Sequence, residues 1–175
     1  MRRLLMFGVV TFAGLGLAAP TAAQTPAACE LVAGKEFDGA IVPNFYLEGN
    51  AIPVQKRNAA MLKCGGARLA IFALLDTSGY SADVQKKYLG MVLVEKKMSL
   101  GAAPLPVGAY GFGLEKPASG EQPGKVFVYD VAGQKVGETS APYDAKLAQP
   151  TPLQAVVAKG QPAKLYLGRY SLEIR

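Results

Sequence analysis

Chemistry in this chain is confined to a few places. Two cysteines, Cys29 and Cys64, stand far apart. A polar loop, Asp76-Thr77-Ser78-Gly79-Tyr80, interrupts an apolar centre, and Gln55, Arg57 and Asn58 precede the same apolar run that the loop follows. An arginine can grip a carboxylate or a phosphate in two-pronged fashion. Gln55, Arg57, Asn58, Asp76, Ser78 and Tyr80 are therefore the candidate recognition surface, since loops on a rigid β scaffold commonly carry binding. A local reading stands beside it: Asp76 and Ser78 bond their own turn amides, and Arg57 neutralises Asp76.

Catalysis has little to work with. The chain has no histidine, which removes the commonest general base and the commonest transition-metal ligand together. Ser–His, Cys–His and His-based zinc sites are excluded within the chain. Lysine or paired carboxylates remain as formal options. However, Asp76, Asp83, Glu95, Glu115 and Asp130 are scattered beside turns and strand ends. The stretch Gly108-Ala109-Tyr110-Gly111-Phe112-Gly113 has the look of a phosphate loop, but no helix pattern follows it. Glycines on one strand face instead permit bending or close packing. No catalytic residue, metal site or cofactor is expected.

The cysteines do not form a Cys-x-x-Cys redox pair, so one structural disulfide is expected. Closing a loop of about 36 residues is worth roughly 3–4 kcal/mol in the chain-entropy model. The tyrosines at 110, 129, 166 and 170 lie in expected strands, where packing is their common use, although exposed aromatics can also serve a carbohydrate platform.

The elements that must position these groups are mostly strands. Arg68–Leu75, Gly90–Lys97 and Leu105–Glu115 are three apolar runs, with a short helix over Ser81–Tyr88 between the first two. Lys125–Val131 and Gln134–Thr139 read as a hairpin around Ala132-Gly133, followed by Leu153–Val157 and Lys164–Leu167. In Tyr170–Arg175 a strict alternation marks a strand with one buried face. The stretch Glu30–Lys63 is the least regular, with short strands expected at Ala40–Val42 and Phe45–Leu47, a turn at Glu48-Gly49-Asn50, and Val54–Lys63 open between helix and strand. About eight strands and one helix predict an all-β domain, an antiparallel sandwich or small barrel.

Residues 1–23 have the pattern of a signal peptide: Arg2 and Arg3, an apolar Leu4–Ala18, then Pro20 and small residues. Residues 24–66 form an N-terminal arm tied by the disulfide, and 67–175 form the β core, together one compact domain. No stretch of the mature chain is apolar enough to span a bilayer. The net charge of +6 falls to +4 without Arg2 and Arg3. The remaining lysines are dispersed, without the basic stripe and stacking aromatics that nucleic acid requires.

Pro53-Val54-Gln55-Lys56-Arg57-Asn58-Ala59, the Asp76–Tyr80 loop, Leu105–Gly113, Pro152-Leu153 and Leu165–Arg169 together span most of the mature chain. In these stretches the chain resembles small, uncharacterised exported β-rich proteins of bacteria. The resemblance implies a β-rich fold and export, and no activity comes with it. The resulting expectation is a non-enzymatic envelope module, periplasmic or extracellular, binding an envelope protein, a polymer or a small ligand. The alternative is a ligand carrier with a barrel pocket lined by Tyr110 and Phe112, and an enzyme of unknown type is third.

Overall fold

Ala67–Leu75 shows why a continuous apolar run makes a central strand. Its Ala70, Phe72 and Leu74 face one hydrophobic cluster, and Ile71, Ala73 and Leu75 face another. A strand buried on both faces has no polar side to alternate with. The structure, a computed structural model, describes residues 28–175. The expected signal peptide lies outside the described residues.

Thirteen strands and two helices are described. The chain begins with β1 (Cys29–Val32), α1 (Lys35–Ala40), β2 (Asn44–Leu47), β3 (Asn50–Cys64) and β4 (Ala67–Leu75). It continues with α2 (Ala82–Lys87), β5 (Gly90–Val94), β6 (Met98–Leu100), β7 (Ala103–Leu105) and β8 (Gly108–Glu115). It closes with β9 (Gly124–Tyr129), β10 (Lys135–Ala141), β11 (Gln154–Val156), β12 (Ala163–Leu167) and β13 (Tyr170–Ile174).

The strands form two antiparallel sheets. The large one runs β1-β3-β4-β5-β8-β9-β10, with β2 also paired to β3, and the small one runs β11-β12-β13-β6-β7. Their facing sides enclose the main core, in which Phe72, Val92, Phe112 and Val128 meet Leu100, Leu105, Leu165 and Leu172. Burying each such side chain is worth roughly 1.5–3 kcal/mol. β13 shows the expected alternation, with Tyr170, Leu172 and Ile174 buried and Ser171 and Glu173 partly exposed. The large sheet ends at β1 and β10 instead of closing on itself, so the architecture is sandwich-like and not a barrel.

The large sheet carries a second core on its outer face. Phe45, Leu47, Ile52, Met61, Ile71 and Met91 are roofed there by Val84 and Tyr88, with Phe37 of α1 packed alongside. Ser81 caps α2 by accepting from the Val84 amide at 3.4 Å.

Several expectations need correction. Ala40–Val42 is not a strand: Ala40 ends α1, a helix not foreseen. Its N-cap is Gly34, whose φ of 70° only glycine adopts cheaply and which offers no capping side chain. Gly90–Lys97 ends early at Val94, and the chain crosses to the small sheet as β6. Leu105–Glu115 is two strands: Leu105 closes β7 in the small sheet, and Pro106-Val107 carries the chain back to β8 in the large one. The ambiguous Val54–Lys63 belongs to β3, which pairs β4 on either side of an interruption at Lys56-Arg57-Asn58.

Candidate functional site

β3 gains three residues over its partner. Gln55 pairs with Leu74, and the next pair is Ala59 with Ala73, so Lys56, Arg57 and Asn58 loop out of the ladder. A bulge of this kind re-aims side chains and interrupts pairing. Its polar groups hold the loop together. Gln55 Nε2 donates to the Leu75 carbonyl at 3.1 Å, and Asn58 Nδ2 donates to Gln55 Oε1 at 2.8 Å. Lys56 pairs with Asp38 of α1 at 2.7 Å. Arg57 is exposed and makes no ion pair with any described residue.

The Asp76–Tyr80 loop reaches the same strand near the bulge. The Asp76 amide donates to the Pro53 carbonyl at 2.9 Å, and the Tyr80 hydroxyl donates to the Ala51 carbonyl. Asp76 Oδ1 accepts from the Ser78 hydroxyl at 2.7 Å and from its amide at 3.2 Å. These two bonds, the hydroxyl first, hold the Asp76 carboxyl below its ordinary pKa. Asp76 and Ser78 thus build their own turn, as the local reading had it, while Arg57 and Asp76 form no ion pair. The six candidate residues all lie along β3 and on the β4–α2 loop beside it. Gln55 and Asn58 shape the bulge, and Arg57 is the one whose charged group faces solvent without a described acidic partner.

The disulfide joins Cys29 to Cys64, residues directly opposed in the β1–β3 ladder with Cα atoms 4.0 Å apart. It locks β1 onto the end of β3 beyond the bulge. Between β1 and β2, α1 lies along β3 and is tied to it by Glu36–Lys63 at 2.6 Å as well as by Asp38–Lys56. The bulge is therefore held from both sides.

A second charged cluster escapes sequence reasoning. Glu48, in the β2–β3 turn with φ of 49°, accepts from Lys87 Nζ and from the Tyr88 hydroxyl at 2.5 Å. Lys87 also donates to the Gly133 carbonyl at 2.7 Å and lies over the Tyr129 ring, 4.9 Å from its centroid. Tyr88 and Tyr129 meet edge to face at 5.5 Å. The Lys87 and Tyr88 hydrogen bonds hold the Glu48 carboxyl below its ordinary pKa. Burial, and then the Glu48 carboxylate, push the Tyr88 phenol well up. Glu48 and Lys87 are 39 residues apart, and nothing local in the sequence marks the pair. This network clamps the β2–β3 turn, α2 and the β9–β10 hairpin together, with every charge answered.

The glycine-rich strand serves that clamp. A Cβ on Gly111 would lie 2.7 Å from the Tyr88 ring, and one on Gly113 would lie 2.3 Å from the Lys87 carbonyl oxygen. The glycines admit the end of α2, in line with the close-packing reading. Phe112 points the other way, fully buried in the inter-sheet core, and Tyr110 donates to the Pro106 carbonyl at 3.0 Å. Among the described residues no helix is long and apolar enough to cross a membrane. No family model, no curated protein and no solved structure matches the chain.

Proposed function

We propose that the protein is an exported, non-enzymatic β-domain that acts as an interaction module of the cell envelope, and that it meets its partner at the β3 bulge. The observation that carries this reading is Arg57. It is a solvent-facing cation at the tip of a three-residue bulge, without a described acidic partner, on a loop whose other polar groups are tied down. A rigid loop presenting one uncommitted guanidinium suits a partner bearing carboxylate or phosphate groups. Export is supported by the basic and apolar pattern of 1–23 and by the disulfide, which belongs in an oxidising compartment. The absence of histidine from the sequence favours binding over catalysis.

Immobilised protein carrying residues 24–175 should capture a specific component from a bacterial envelope fraction, and Arg57→Ala should abolish the capture without changing the melting temperature. Equal capture by the two proteins would reject the bulge as the contact.

A further inference from the structure

Beside α2 the outer face of the large sheet opens into a groove of about 540 Å3. Its floor is made by β9. Val126 and Val128 are fully buried in the core, so Phe127 and Tyr129 share the opposite, outward face, and both remain partly exposed. They stand about 6.6 Å apart along the strand. In the ladder, Phe127 lies directly opposite Gly113 and Tyr129 opposite Gly111. No cross-strand side chain from β8 therefore covers either ring, although Lys135 Nζ of β10 lies 5.3 Å from the Phe127 centroid and Lys87 Nζ lies 4.9 Å from that of Tyr129. The space above Gly111 is taken by Tyr88, and the Lys87 carbonyl presses on Gly113. The groove remains open beside Phe127.

The walls are polar and of both signs. Asp83 and Lys86 come from α2 and Glu115 from the end of β8, and none of the three has an ion-pair partner among the described residues. Lys87 is already taken up by Glu48, so the lining presents two open carboxylates and one open ammonium and does not favour an anion. It offers instead an aromatic floor with acceptors and donors along the rim. Each ligand hydroxyl can donate to a carboxylate and accept from an ammonium, while a flat C–H face rests on the side of the Phe127 ring that Lys135 leaves open. The volume falls in the range of small-molecule sites.

We propose that this groove binds a neutral saccharide, with Phe127 as the platform and Asp83, Lys86 and Glu115 as the hydroxyl-binding groups. The site is separate from the Arg57 bulge and does not depend on it. Its probes are maltotriose, cellotriose and chitotriose, with polygalacturonate as an anionic comparison. Titration calorimetry and saturation-transfer NMR on the protein should show saturable one-to-one binding of at least one neutral trisaccharide. Phe127→Ala should weaken that binding at least about tenfold, Glu115→Gln and Asp83→Asn should each weaken it several-fold, and Arg57→Ala should leave it unchanged. Should Phe127→Ala fail to fold, Glu115→Gln decides, because the Glu115 side chain is exposed. Failure of all three neutral trisaccharides to bind, binding of polygalacturonate alone, or binding indifferent to Phe127 and Glu115 would each overturn the proposal. None of these outcomes bears on the envelope capture assay, which reads Arg57.

Discussion

The β3 bulge and the Glu48 cluster are two charged regions on the outer side of the large sheet, and their charges have opposite fates. Around Glu48, an ammonium, a carboxylate, a phenol and a backbone carbonyl close on one another, and the tyrosines pack the remaining faces. At the bulge, amide side chains and one lysine satisfy the frame, and Arg57 projects beyond it. Density of charge is therefore a poor guide to a binding surface. What distinguishes the regions is whether the fold consumes the charges it gathers.

That contrast can be broken or sharpened by mutation. Tyr88→Ala should have the largest effect, because the ring is buried in the outer core and anchors the Glu48 clamp. A loss of about 3–5 kcal/mol is expected in chemical denaturation, and a loss below about 1 kcal/mol would show that the clamp is dispensable. Next comes replacement of both Cys29 and Cys64 by alanine, with an expected cost of roughly 3–4 kcal/mol. Alkylation mass spectrometry of the unreduced protein should meanwhile find no free thiol, and two freely modified thiols would remove the disulfide from the account. Glu48→Gln follows at about 1–2 kcal/mol, at the low end for a charged hydrogen bond because Glu48 is about one-third exposed.

The Glu48 effect has a direction in pH. Its carboxyl is held below the ordinary value in the folded protein, so its stabilisation is complete above the unfolded carboxylate pKa of about 4.3 and fades as the pH falls through the folded value. The gap in melting temperature between the natural protein and Glu48→Gln should therefore narrow below about pH 4. A gap that is constant from neutral to acid conditions would deny the ionised pair its role. The smallest change belongs to Arg57→Ala, less than about 0.5 kcal/mol, since nothing described leans on the guanidinium. A larger loss would make Arg57 structural and erase the contrast.

How much could be read beforehand depended on how local the causes were. The β4 run, the β13 alternation, the β9–β10 hairpin and the Ser81-capped helix all carry their signals within a few residues, and each stands where the sequence placed it. Two cysteines with no redox spacing pointed to one bridge, and the structure contains it. β3 was harder because Lys56-Arg57-Asn58 breaks its alternation, and a bulge becomes visible only when the partner strand is known. α1 lacks a capping side chain, and β6 and β7 are three residues each, too short for a period to show. For the site, the proximity of Pro53 to Asp76 followed from their flanking one strand. The Glu48 clamp and the Phe127 groove arise from contacts across the sheet and were not legible at all.

The excursion of β6 and β7 has a consequence for the order of assembly. From β3 to β10 the large sheet grows by adding each strand to its predecessor, except that the chain leaves it between β5 and β8. The hairpin formed in that detour belongs to the small sheet, where β6 pairs β13 through Ile174 and Leu100. β13 comes after every other strand in the sequence. As the chain folds, the first sheet can zip up by neighbouring contacts, whereas the second must wait for a partner some seventy residues away. During that interval the leucines of β6 and β7 and the inner face of the first sheet have nothing to cover them. A chain truncated before Tyr170 should accordingly be a client for a holding chaperone, and one that includes Tyr170–Ile174 should not.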